Sequence, residues 1–398
     1  MSASPTSLSS RRDAGLDSLR GLMLLAMGVN HIASLLQVLT DHPLGYTSSA
    51  EGFVFISGLV AGLVYTRRRR RLGVAAANRA SLLRAATIYR YHLALFVGLL
   101  SWTLLFFAVR GAPAGNTPAV MLAHPGKVLL AGVFLVNQPP LLDILPMYAG
   151  FMLLLPLVLT ALDAGRRRSL LALSLSVWAL TNLAWPQTSY RHGVIQIGAF
   201  NETAWQLMFI AGVVCGHATA AGTEVLSRRL KSWLAVPSFA LCVYAFLVRH
   251  WYVHAPFPGF ADWVNKNNLA PFRLLNTLAL FLLVHLAFAR WPAAFSWRPL
   301  ALLGRHSLTV FCTHVVVAYA LYAFPDYVST TPARTWIGTG IMIGALLSVA
   351  FVRERFRNLE AVREASGSAG EAAATVKSPV TPRRPLGRQQ GIFPREEV

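Results

Sequence analysis

Acidic residues are scarce in this chain. Only 16 of its 398 positions are Asp or Glu, and charged residues of both signs make up 13%, about half the share of a soluble domain. That shortage, set beside 55% hydrophobic residues, excludes an ordinary water-soluble enzyme. Cysteine is rarer still. Cys215, Cys242 and Cys312 all lie in apolar runs and fit neither a disulfide framework nor metal-ligand spacing, so they read as small core residues. No Walker or Rossmann glycine pattern occurs, which argues against an ATPase or a dinucleotide enzyme. The opening MSASPTSLSSRRDAG carries no signal-peptide cleavage pattern, and the first apolar helix is expected to be retained.

What the chain has is apolar length. Runs of about 20 hydrophobic residues recur from end to end, the length a bilayer demands. The fold class expected is all-α, a polytopic membrane helical bundle of about ten transmembrane helices plus one re-entrant segment. The spans are placed at 17–39, 48–66, 88–109, 143–162, 169–185, 203–220, 233–250, 272–290, 299–323 and 335–353. Three regions follow: a cytoplasmic N-terminal segment 1–15, a transmembrane domain 16–354, and a small, polar, Pro-containing cytoplasmic tail 355–398 expected to be disordered.

The formal charge of +20 would suggest nucleic acid in a soluble protein. Here the Lys and Arg residues sit in short loops beside apolar segments, as the positive-inside rule requires. The loop TRRRRRLGVAAANRASLLR, 66–84, follows an even number of spans, which puts the N-terminus in the cytoplasm with it. The segment HPGKVLLAGVFLVNQPPLLDILP, 124–146, is short for a span and broken by NQPP. Reading it as non-spanning lets GRRRS, SRRLK and FVRERFR all face the cytoplasm. Both termini are then cytoplasmic.

Ionisable groups in hydrocarbon cost roughly 2.5–3.5 kcal/mol each, so they are rare there and usually functional. LDSLRGLMLLAMGVNHIASLL, 16–36, carries three of them. At 100° per residue, Arg20 and His31 project within about 20° of each other, and Asp17 within about 40° of His31. The stripe also has a bland reading, a snorkelling arginine and a histidine satisfied by a neighbour. In the second span Glu51 lies one turn inside the outer boundary, where it either caps its helix or pairs. Gly58 and Gly62 form a small-xxx-small pair that could bring this helix against the first, and Glu51 to His31 as base and orienter.

Most of Arg67 to Arg71 reads as surplus positive-inside charge. Arg84 and Arg90 lead into a span with His92 just inside it, and guanidinium forks there suit a phosphate-bearing cytoplasmic ligand. Asp143, Asn201, Glu202, Trp205, Gln206, Arg305, His306 and His314 sit at or inside span ends. Trp205 and Tyr190 suit stacking on a sugar ring, although interface aromatics are ordinary in membranes. Buried His, Glu and Arg also make proton relays, so a proton-coupled transporter of a small metabolite or glycan precursor is the rival reading; no inverted repeat supports it.

The ordered set RDAGLDSLRGLMLL…NH, SSAEGFVFISGLVAGLVY, RAATIYRYHLALF, PLLDILPMY, FNETAWQLMFIAGVVCGH, LAPFRLLNTLALF and LGRHSLTVFCTH resembles the OpgC-type membrane proteins, part of the acyltransferase-3-like superfamily. The resemblance covers about 17–323. It implies a ten-helix bundle in the bacterial inner membrane that O-acylates an extracytoplasmic glycan from cytoplasmic acyl-CoA; the named member is associated with succinylation of periplasmic glucans. The resemblance maps His31 as the catalytic histidine, Asp17 and Arg20 in its motif, Glu51 beside it, and Arg84 and Arg90 as the basic positions leading into the third helix. The site expected from this and from the residues themselves has His31 and Glu51 as catalytic, Asp17, Arg20, Arg84, Arg90 and His92 as donor-binding, and Asn201, Glu202, Trp205 and Gln206 as acceptor-binding. No metal or bound cofactor is implied; acyl-CoA, possibly succinyl-CoA, is a co-substrate. The partners are the glycan and membrane lipids, with no nucleic acid.

Overall fold

The computed structural model describes residues 13–113, 119–184, 191–324 and 331–376; Tyr190, most of segment 1–15 and the end of the tail lie outside them. The chain divides into two compact units, Met1–Phe351 and Val352–Val398. Described residues 352–376 of the second are helical.

The first unit is built from helices, with one small hairpin of two-residue strands, β1 (Arg191–His192) and β2 (Ile195–Gln196). In chain order the helices are α1 (Ala14–Asn30), α2 (Gln37–Thr40), α3 (Ser49–Arg110), α4 (Ala119–Ala123), α5 (Pro125–Val133), α6 (Ile144–Asp163) and α7 (Arg167–Ala184). Then come α8 (Glu202–Ala221), α9 (Arg228–Arg249), α10 (Phe260–Trp263), α11 (Pro271–Arg290), α12 (Arg298–Arg305), α13 (Ser307–Tyr322) and α14 (Pro332–Val376).

Among the described residues six helices, α3, α6, α8, α9, α11 and α14, are long and apolar enough to cross a membrane, and α12 with α13 adds a seventh if that pair, bent by 90°, counts as one. Large apolar side chains on their outer faces, such as Leu157, Val236 and Phe239, are exposed, as a lipid-facing surface requires. This is a membrane protein. Helix α1, at 17 residues, is about 26 Å long, at the lower limit of a membrane span. Helix α5 has nine residues and does not reach across.

Helix α3 is two arms. Gly73 holds a non-helical conformation at φ 85°, ψ 167°, which L side chains resist. The Tyr65 hydroxyl reaches the Ala80 carbonyl at 3.4 Å, and Arg69 Nη2 reaches Asn78 Oδ1 at 2.9 Å. Fifteen residues of straight helix span about 22 Å, so the chain folds back at Gly73. Arg69 is not surplus charge. It is buried, pairs with Asp163 at 2.7 Å, and donates to the Pro156 carbonyl and Thr160 at the end of α6. Arg70 donates to the Ala220 carbonyl at the end of α8, supplying a partner that a helix C-terminus lacks.

The glycine pair on α3 meets a different helix from the one expected. A Cβ on Gly58 or Gly62 would lie 2.2 or 2.3 Å from the carbonyl oxygens of Phe209 and Val213 on α8. Gly212 and Gly216 answer from α8, where a Cβ would lie 2.2 and 2.0 Å from the Phe55 and Leu59 oxygens. Two small-xxx-small pairs interlock, so the backbones touch. Helix α1 instead packs on α12, where Gly21 faces the Leu300 carbonyl and Gly304 faces that of Asp17.

These contacts fix direction. The α3 arm 49–72 runs alongside α6 and α8 with the same sense, since Phe53 meets Tyr148 and Gly58 meets Phe209, while Arg69 meets Asp163. One end of the bundle therefore gathers Arg69, Asp163 and His217. The opposite end gathers the starts of α3, α6, α8 and α11, and the site lies there.

Candidate active site

Helix α1 stops earlier than the apolar run does. His31 is its C-cap, at φ −93° and ψ 9°, and the chain turns before α2. The last carbonyls find side-chain donors: Gln37 Nε2 donates to Asn30 and Ile32 oxygens at 3.2 and 2.7 Å, and the Tyr322 hydroxyl donates to the His31 carbonyl. Carbonyls left unpaired at a helix C-terminus need such replacements. They leave the half-buried His31 ring fixed at a helix end rather than in mid-helix.

His31 Nδ1 lies 3.0 Å from Nε2 of His314, which is buried on α13. The rings are 5.1 Å apart at 27°. Two facing imidazole nitrogens at that distance share one proton, one donating and the other accepting. His314 Nδ1 is buried with no hydrogen-bond partner among the described residues. When Nε2 of His314 accepts, His31 Nδ1 donates and Nε2 of His31 is the basic nitrogen.

Glu51 is not the residue that holds His31. It is fully buried and forms a capping box with Ser48, accepting from its backbone N–H at 2.9 Å and its hydroxyl at 2.5 Å. Its other oxygen accepts from Arg273 Nη1 at 2.7 Å. The neighbour of this turn on α1 is Met23, whose Sδ would lie 2.8 Å from a Cβ on Gly52. His31 is eight residues further, about 12 Å along the helix. The pairing expected from sequence fails because α1 crosses α3 a full two turns lower.

Arg273, third residue of α11, is buried. Besides Glu51 it donates from Nε to the Val264 carbonyl at 2.8 Å and places its guanidinium 3.4 Å from His42 Nε2. His42 also lies 2.5 Å from Asp41. Its pKa is lowered, first by loss of water and then by the Arg273 charge, with Asp41 and Glu51 opposing. Lys266 completes the set. Its ammonium lies 5.7 Å over the Phe200 ring, and its charge acts on His31, His42, Glu51 and Asp143 alike.

The residues expected to bind the donor are not gathered. Asp17 is buried at the α1–α12 crossing. Arg20 donates to Ser307, at the start of α13, at 2.7 Å and lies 6.0 Å over Phe53, so it points into the bundle. Arg84 and Arg90 are exposed, and six residues on a helix put them about 120° apart. His92 is buried beside Phe96, facing the backbone of Gly132 and Leu142.

The expected acceptor residues are mostly in use elsewhere. Trp205 is fully buried and donates to the Asn267 carbonyl at 3.0 Å. Gln206 exchanges hydrogen bonds with Ser174 at 2.7 and 2.8 Å. Asn201 caps α8 and holds Asn268 at 3.1 Å, while Glu202 is exposed beside it. Arg305 and His306 form the bend between α12 and α13. Sequence reasoning missed Arg273, His42 and Lys266. Arg273 had a signal, since PFRLLN puts an ionisable group in an apolar run as surely as Glu51 does.

A family model described as OpgC protein matches residues 12–358. No curated protein and no solved structure matches. The matched stretch holds His31, Glu51, Arg273 and His314 together, and the family points to a glucan-modifying acyltransferase. Matched over nearly its whole length, the chain belongs to the OpgC protein family.

Proposed function

We propose that this protein moves an acyl group, succinyl being the first candidate, from cytoplasmic acyl-CoA to a hydroxyl of an extracytoplasmic glucan, with His31 as general base. The His31–His314 contact carries the reading. A glycan hydroxyl is a poor nucleophile at neutral pH, and a positioned base contributes typically 10²–10⁴-fold. His31 Nε2 takes the hydroxyl proton as the sugar oxygen attacks the thioester carbonyl. The C–S bond breaks as the tetrahedral intermediate collapses, and the thiolate of CoA leaves with the proton from the imidazolium. His314 holds the tautomer, and the field of Lys266 favours the negative charge that develops on the carbonyl oxygen.

In this reading α1, both arms of α3, α6, α7, α8, α9, α11, the α12–α13 pair and α14 make ten crossings of a bacterial inner membrane. The end with Arg69 and Asp163 faces the cytoplasm, as do both termini. Acyl-CoA enters from that end, with Arg20 along its path and Arg84 and Arg90 as surface contacts for the nucleotide phosphates. Glu51 acts through Arg273, as an anchor of the site's floor.

The test is incubation of the purified protein with labelled acyl-CoA and a neutral glucan. The reading requires label on the glucan and glucan-dependent CoA release, both lost in His31→Gln. Flux of a small solute without acylation would instead mark a transporter.

A further inference from the structure

At the site's end of the bundle lies an open cleft of about 520 Å³, lined among others by Tyr46, Trp251, Phe257 and Phe260, with His42, Arg249 and Arg273 between them. That volume falls in the range of small-molecule sites, roughly 300–1,000 Å³. Three stretches of chain build it: the turn after α2, the end of α9, and the segment through α10 to α11.

The rings do not all pack away. Tyr46, Phe260 and Phe272 brace one another edge to face, at 4.9 to 5.9 Å, and Phe257 adds to them at 5.5 Å. Trp251 stays 88% exposed and Phe257 41% exposed, leaving apolar faces open above a polar floor. The charge of that floor is cancelled from below. Arg273 is bound to Glu51 at 2.7 Å, and Arg249 stands 3.8 Å from Asp41.

A phosphate or a lipid headgroup calls for uncompensated cations. An acyl chain has no use for guanidinium and imidazole groups. A neutral polyol fits both features: the C–H faces of sugar rings lie on aromatic faces, and hydroxyls pair with guanidinium N–H groups that Glu51, Val264 and Asp41 leave over. The cleft is tied to the site through Arg273, which lines it and is bound to Glu51 at 2.7 Å.

We infer that this cleft is the acceptor subsite, and that it takes a short run of neutral glucose rings, with Trp251 and Phe257 as stacking surfaces. The inference rests on the acyltransferase reading and places the acceptor away from Trp205 and Gln206.

Calorimetric titration of a neutral gluco-oligosaccharide into the full-length protein in nanodiscs tests it. Trp251→Ala and Phe257→Ala should each weaken sugar binding at least ten-fold and raise the glucan KM in parallel, with the acyl-CoA KM unchanged. His31→Gln should bind the sugar like the parent while losing transfer. If the parent transfers acyl groups to glucan and both aromatic variants bind sugar normally, the cleft is not the subsite and the rings are interface aromatics, although the acyltransferase reading survives. If the parent neither binds nor acylates a neutral glucan, both fall. Binding of inorganic phosphate or anionic-lipid vesicles in place of sugar, lost in Trp251→Ala, also overturns the inference.

Discussion

Glu51 and Arg273, 222 positions apart, meet at 2.7 Å with almost no exposure to solvent. Glu51 belongs to the first turn of α3 and Arg273 to the first turn of α11, so one ion pair ties two helix starts together. The second carboxylate oxygen and the guanidinium find further partners in Ser48, Val264 and His42, which is the condition under which a buried pair is tolerated.

Breaking that pair should unfold this end of the bundle before it affects chemistry. Removing one partner of a buried pair costs about 3–5 kcal/mol. Arg273→Met and Glu51→Gln should each lower the melting temperature in detergent markedly, and the double variant should recover part of the loss. A double variant whose loss equals the sum of the two singles would show no coupling.

The helix contact between α3 and α8 makes a sharper contrast. Gly212→Val puts a side chain where a Cβ already lies 2.2 Å from the Phe55 oxygen, and folded yield should collapse. Gly150 on α6 has nothing within 4 Å of its Cβ position. Gly150→Ala should be neutral or stabilising by up to about 1 kcal/mol, the helix-propensity gain. Thermal melts of both variants check this.

His42 gives a pH dependence. Its folded pKa lies below 6.5, so on acidification the unfolded chain takes up a proton that the folded chain does not. Stability is therefore complete above pH 6.5 and falls as pH drops below it. Arg273 and Asp41 touch the ring, and the charges of Glu51 and Lys266 also act on it. His42→Gln should flatten the decline in melting temperature between pH 7 and 5 relative to the parent. An unchanged slope would assign the decline to other groups.

Much of this was legible in the sequence, and the misses have one cause. The all-helical membrane class, the family and the turn after the second span follow from apolar run lengths and ordered motifs. His31 was found because an ionisable residue stands out in an apolar run. Its partner was not fixed, since periodicity places residues on a helix face without saying which helix that face meets. Gly58 and Gly62 announce a close contact, yet only Gly212 and Gly216 decide that it is with α8. Glu51 looked like the orienter of His31 because both seemed to lie near one membrane face. The two-turn offset of α1 against α3 comes from Gly21 and Gly304 locking α1 to α12, a contact some 280 residues apart.

Orientation in the membrane can be read from outside the cell. Single cysteines near Arg167 and near His254, in a chain whose three native cysteines are replaced, should differ. A membrane-impermeant thiol reagent applied to whole cells should label the His254 site and leave the Arg167 site untouched. Labelling at Arg167 would invert the proposed arrangement.

The central claim is that His31 is a base whose tautomer His314 sets, and the pH–rate profile of acyl transfer with glucan saturating measures it most directly. The account predicts that His31→Gln loses at least 10²-fold in kcat with acyl-CoA binding intact. It predicts that His314→Ala, which leaves His31 in place, also falls steeply, whereas His314→Asn, with a side-chain acceptor able to face Nδ1, recovers part of the rate and the parent's acidic limb. Near-normal transfer by a well-folded His31→Gln protein would contradict the account and move the catalytic residue elsewhere.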